Sequence, residues 1–106
     1  MKEGTYITIQ SWMRTELGLT GNELLAFALV FGFCQDEETE FTGSMNYIAE
    51  WLGSTRQTAI TTMKKLVEKG LVERVEIKTN GVTFAHFRII QGVKNFDRGV
   101  SKDFTQ

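Results

Sequence analysis

The sequence predicts an α+β domain, mainly α, in which helices occupy most of the chain and a two-stranded hairpin closes it. Three observations carry this. Residues 44 to 70 read as two amphipathic helices joined by a glycine turn, residues 24 to 34 form a wholly apolar helical segment before them, and β-rich runs flank an Asn-Gly pair at positions 80 and 81.

The helical pair organises the rest. Ser44 is a good N-cap, and Ile48, Ala49 and Leu52 follow at helical spacing until Gly53 stops the run. Thr55 can cap a second helix whose apolar stripe is Ala59, Met63, Leu66 and Val67. Arg56, Gln57, Thr58, Thr61, Thr62, Lys64 and Lys65 fall mostly outside that stripe, and Gly70 ends the helix at a left-handed cap position. A short helix, a tight turn with glycine and a longer helix with a polar basic face is the helix-turn-helix plan for entering a DNA major groove. Arg56, Gln57 and Thr58 lie in the first turn, where such helices reach base edges: an arginine can pair with guanine and a glutamine with adenine. Lys64 and Lys65, farther along, are placed for phosphates.

The string I-A-E-W-L-G-S-T-R-Q-T-A at 48 to 59, with L-V-E-K-G-L-V at 66 to 72, resembles the winged helix-turn-helix domains of bacterial regulators and replication proteins. Among these it is most similar to the N-terminal domain of DnaD-like and phage or mobile-element replication initiators. The resemblance covers roughly residues 5 to 90. It implies a winged helix-turn-helix with a C-terminal two-stranded β wing, a recognition helix over 55 to 69, double-stranded DNA as partner, and a role in replication initiation or transcriptional regulation alongside replication proteins. Ser54 and Ala59 stand where the family usually carries branched aliphatics, which predicts looser packing of the turn.

Composition excludes other classes. At 106 residues, 42% hydrophobic and 24% charged, this is one ordinary globular domain. The single cysteine, Cys34, cannot form an internal disulfide, and MKEGTYITIQ lacks a signal peptide's apolar stretch, so a cytoplasmic protein is expected. The most apolar run, Leu24 to Cys34, is too short to span a bilayer. A formal net charge of −1 and a pI near 5.8 oppose DNA binding by bulk electrostatics. The charge is separated, however. Asp36, Glu37, Glu38, Glu40 and Glu50 fall in residues 36 to 50 without a single cation, whereas residues 51 to 70 carry Arg56, Lys64, Lys65 and Lys69 against Glu68 alone. One face can therefore meet DNA, weakly and with strong salt dependence.

In chain order, Tyr6 to Ile9 alternate as a short β-rich run that needs a partner strand or a covering helix. Gln10 to Leu17 reads as a short helix with Trp12, Met13 and Leu17 on one face, Trp12 being a packing residue. Thr20 and Glu23 have capping-box spacing at the head of the next helix. From Leu24 to Cys34 that helix is apolar all round and must be buried on more than one side, either between its own neighbours or against a second subunit or domain. With Ile7 and Ile9 it predicts a homodimer contact. Cys34 has no second ligand nearby and reads as a small core residue.

Residues 35 to 43 form an acidic loop without the order of a calcium loop; Phe41 anchors it, and 41 to 43 can add a short strand to the wing. Val72, Val75 and Ile77 precede Asn80-Gly81, and Val82, Phe84, Phe87 and Ile89 follow it, which predicts the hairpin; Lys78 and Asn80 at its tip complete the candidate DNA-binding set. His86, the only histidine, is placed on the sheet surface. Residues 91 to 106 are polar and lack a sustained period, reading as a linker or tail after a 1 to 90 domain and before a further region. VKNF at 93 and SKDF at 101 are either a degenerate repeat or an accidental match. With no phosphate loop, metal-ligand spacing or nucleophile beside a base, neither enzyme activity nor a cofactor is expected. The alternative to DNA binding is a winged-helix protein-interaction module acting through its acidic surface and apolar central helix.

Overall fold

The computed structural model describes residues 5–34, 41–90 and 92–93. Its elements in order are α1 (Ser11–Thr15), α2 (Gly21–Phe33), α3 (Met45–Leu52), α4 (Arg56–Glu68), β1 (Val72–Thr79) and β2 (Val82–Ile89). The acidic segment 35 to 40 and the tail from 94 onward, with its two similar tetrapeptides, lie outside the described residues; of the predicted linker, Gly92 and Val93 are described, and Val93 is buried.

The helices form where capping and burial agree. Ser44 Oγ accepts the Tyr47 N–H at 3.1 Å, and Thr55 Oγ1 accepts the Thr58 N–H at 3.2 Å. Each hydroxyl satisfies a donor that the first helical turn leaves without an intrahelical partner. Gly53 closes α3 at φ 63°, with the Ser54 N–H reaching back to Ala49 O at 3.0 Å. Gly70 does the same for α4 at φ 75°, where the Leu71 N–H bonds Leu66 O at 3.2 Å. Ala59 is fully buried.

The sequence expectations are corrected in two places, and one open alternative is decided. Tyr6 to Ile9 takes the helical cover of its two alternatives: among the described residues it has no strand partner, and it runs beside α2 and α3 as an irregular segment with Tyr6 80% exposed. Thr20 occupies the N-cap of α2 in extended geometry but makes no side-chain cap bond, so the capping box does not form. Glu23 instead pairs with Lys69, just past the end of α4, at 2.5 Å. Thr62 is buried rather than on the polar face, since its hydroxyl donates to Thr58 O at 2.7 Å and so satisfies itself inside the helix.

The core runs from α2 outward. Ala26 through Phe31 are all buried, and Trp12 packs edge-on against Phe27 and Phe31 with ring centroids 5.9 and 5.2 Å apart. Met13, Ile48, Met63, Leu66, Val72 and Phe87 complete the core from the other elements. Cys34 is buried among them as expected, its Sγ 3.7 Å from Phe87 O. Phe41 is fully buried, and its backbone exchanges two hydrogen bonds with Phe87, 2.6 and 3.0 Å. The anticipated third strand is thus a single bridge. Gly43 permits it: a Cβ there would lie 2.5 Å from Phe41 Cζ.

β1 and β2 pair antiparallel from Val72↔Ile89 to Thr79↔Val82 around Asn80 (φ 52°) and Gly81 (φ 78°). Both turn residues have positive φ, the type I′ geometry whose twist matches the strands. Opposed residues share a face, so Val72, Arg74, Glu76 and Lys78 with Ile89, Phe87, Ala85 and Thr83 make the face turned toward the helices. The outer face carries Glu73, Val75, Ile77 and Thr79 with Arg88, His86, Phe84 and Val82. Arg88 donates from Nε and Nη2 to both Glu73 carboxylate oxygens at 3.1 Å, which holds the exposed Glu73 carboxyl below its ordinary pKa.

Candidate nucleic-acid interface

The candidate surface is built on α4. Its buried row, Ala59, Thr62, Met63 and Leu66, faces the core, so helical geometry turns Gln57, Thr61 and Lys64 directly outward. Arg56 lies on the flank nearest the wing, and Lys65 on the flank nearest the start of α2. Thr55, Arg56, Gln57, Thr61, Lys64 and Lys65 are exposed; Thr58 is half-buried. The two threonines of the first turn are engaged locally, because Thr55 Oγ1 caps the Thr58 N–H and lies 3.1 Å from Thr58 Oγ1. Their hydroxyls hold the helix start in shape, leaving Arg56 and Gln57 as its long side chains without a partner among the described residues.

Two grooves border this ridge. On the α2 side, Thr20 and Asn22 face Gln57, Thr61 and Lys65 across a polar channel of about 260 Å³. On the wing side, a cleft of about 490 Å³ runs between α4 and the helix-facing side of the ribbon, where Arg56 and Lys64 meet Arg74. Lys78 lies on the same ribbon face as Arg74, nearer the tip, and Asn80 is in the turn itself. Lys78 and Asn80 are exposed. The structure therefore brings Arg56, Lys64 and the wing cation Lys78 to one side of the molecule.

Arg74 is the cation beside α4 that sequence reading missed. Strand alternation holds the signal for it: Arg74 and Lys78 are four apart on one strand and so share a face. Arg74 Nη1 forms an ion pair with Glu76, the residue between them on that face, which tempers the local positive charge. Thr20 and Asn22 were missed for a different reason, since only packing of α2 on α4 brings them beside the ridge. Among the described residues no cluster of His, Cys, Asp and Glu could hold a metal ion, and no helix is long and apolar enough to cross a membrane. His86 is half-buried on the outer wing face.

Two helices in helix-turn-helix order on a third, followed by a β hairpin that packs beside the second, define the winged-helix fold. Solved structures agree. A MarR-like transcriptional regulator from Thermotoga maritima superposes with a TM-score of 0.60 at 20% identity, over 94% of this chain and 63% of that one. The structure of a Rep–DNA complex matches with a TM-score of 0.56 at 14% identity, covering 93% of this chain and 92% of that one. The S. aureus MepR–DNA complex matches with a TM-score of 0.58 at 16% identity, covering 83% and 69%. At these identities the likeness is one of fold. No protein-family model matches the sequence, and no curated protein matches it.

Proposed function

We propose that this is a non-catalytic, cytoplasmic DNA-binding domain that inserts α4 into the major groove and lays its wing along the adjacent backbone. The observation that carries the reading is the outward ridge of Gln57, Thr61 and Lys64, flanked by Arg56 and Lys65, with the wing cation Lys78 on the same side. In this arrangement Arg56 and Gln57 read base edges while Lys64, Lys65 and Lys78 meet phosphates. That two chains of the same fold were solved as complexes with DNA supports it. The likeness to a Rep–DNA complex, together with the resemblance of the 48 to 72 string to DnaD-like and phage or mobile-element initiators, supports replication initiation, with replication proteins as further partners; the MarR-like neighbours support transcriptional regulation.

The weak net charge gives an isolated domain modest affinity, which a homodimer would raise by linking two modules. Exposed Tyr6, Ile9 and Phe33 beside α2 supply an apolar patch for that contact. The second reading, a protein-interaction module, draws on the outer wing face, where Val82 and Phe84 are each about half exposed. Chemical-shift mapping with titrated duplex DNA separates the two. The DNA-binding reading expects perturbations at Arg56, Gln57, Thr61, Lys64 and Lys78; shifts confined to the outer wing face or to the α2 patch refute it.

A further inference from the structure

The turn at the wing tip joins an amide to a nitrogen that can attack it. The chain holds asparagine at 22, 46, 80 and 95, and only Asn80 is followed by glycine; Glu23, Tyr47 and Phe96 follow the others. Closing a five-membered ring between an asparagine amide carbon and the next backbone nitrogen requires that nitrogen to approach closely, and a Cβ on the next residue crowds the approach. Gly81 has no Cβ, and one built there would meet nothing within 4 Å. The strand ladder ends at Thr79↔Val82, so the Gly81 N–H lies outside it. The exposed Asn80 side chain has no partner among the described residues. Asn46 shows the contrast: it sits inside α3, and the N–H that would have to attack, that of Tyr47, is bonded to Ser44 Oγ at 3.1 Å.

We propose that Asn80 is a self-modifying site, converting with time to a carboxylate that weakens the hold of the wing on DNA. The Gly81 nitrogen bonds to Asn80 Cγ, the Cγ–Nδ2 bond breaks, and the Gly81 amide proton leaves with Nδ2 as ammonia. Water then opens the five-membered imide, with no change of oxidation state. Opening at Cγ leaves aspartate in the ordinary chain. Opening at the Asn80 carbonyl carbon leaves isoaspartate, whose main chain is one methylene longer through the turn. The consequence for binding rests on the DNA-binding reading: either product places a negative charge two residues from Lys78, the wing cation that meets phosphate. Isoaspartate also lengthens a two-residue turn whose positive φ values match the strand twist, so the Thr79↔Val82 pair should fray.

The test ages the full chain in mildly alkaline buffer and follows the tryptic peptide 79–88, which lies between the cleavage sites at Lys78 and Arg88 and contains Asn80 as its only asparagine. Mass spectrometry should show amide-to-acid conversion there, and labelling by an isoaspartyl methyltransferase should show the longer-chain product, both well ahead of any change at Asn22, Asn46 or Asn95. Aged wild type should bind duplex DNA about fivefold more weakly at about 0.15 M salt, the share of one released counterion, with a salt slope smaller by about 0.9. Asn80→Asp should show that loss from the start. Asn80→Gly, which keeps a residue tolerant of positive φ, should hold whatever affinity it begins with as it ages. No conversion in 79–88, or conversion no faster than at the other three asparagines, overturns the site. Conversion in a chain that binds no duplex leaves the site standing and removes the DNA reading, whereas full affinity in a converted chain that does bind DNA removes only the effect on binding.

Discussion

Replacing Lys78 with alanine tests the wing directly. The side chain is exposed and sits opposite Thr83 near the ribbon tip, so truncation takes nothing from the core and the thermal midpoint should not move. Three lysines, at 64, 65 and 78, are placed for phosphates. Each neutralised phosphate contributes about −0.9 to the slope of log affinity against log salt, so the three predict about −2.7, or roughly a 40-fold loss between about 50 and 200 mM salt. Without Lys78 the slope falls to about −1.8 and the loss to roughly 12-fold. Because a phosphate contact carries no sequence information, the variant should weaken binding to a preferred and a scrambled duplex alike. Arg56→Ala is the contrast: it should cost about 1 to 3 kcal/mol on the preferred duplex and narrow the gap between the two. Fluorescence anisotropy on both duplexes across a salt series measures all of these quantities. An unchanged slope in Lys78→Ala would refute the reasoning and make the wing a structural hairpin only.

Three further outcomes are expected. Gly43→Ala should destabilise the fold by about 1 to 3 kcal/mol in urea, because its Cβ drives the buried Phe41 ring away from its bridge to Phe87; Gly43→Ala with wild-type stability would show that the ring can yield. Arg88→Gln should return the Glu73 pKa toward its ordinary value, as followed by carboxyl NMR. Since Glu73 is depressed in the folded chain, the stabilisation it contributes is present above its unfolded pKa and is lost as pH falls through the folded value, so the variant should show less acid sensitivity at this site. Sedimentation over a wide concentration range should show self-association that Phe33→Ser abolishes, and a strictly monomeric mass would dismiss the apolar patch as a dimer contact.

Much of the fold was legible because its signals are local. Ser44, Thr55, Gly53, Gly70 and Asn80-Gly81 each act within a few residues of backbone, through a cap or a positive φ, and all appear where the sequence places them. Trp12 was legible as a packing residue for the same reason, its apolar neighbours being at helical spacing. Tertiary structure decided the points at which a local rule competed with a distant partner. Glu23 has the spacing of a capping box but turns to Lys69, which lies 46 residues away in the chain and only 2.5 Å away in space. Tyr6 to Ile9 alternates like a strand, yet no described strand pairs with it, and it lies against α2 and α3 instead. The ridge of α4 was set by the sequence through its period. The cleft beside it was not, since Arg56 and Arg74 meet there only because β1 packs on α4, and no periodicity within either element records which faces of the two will be neighbours.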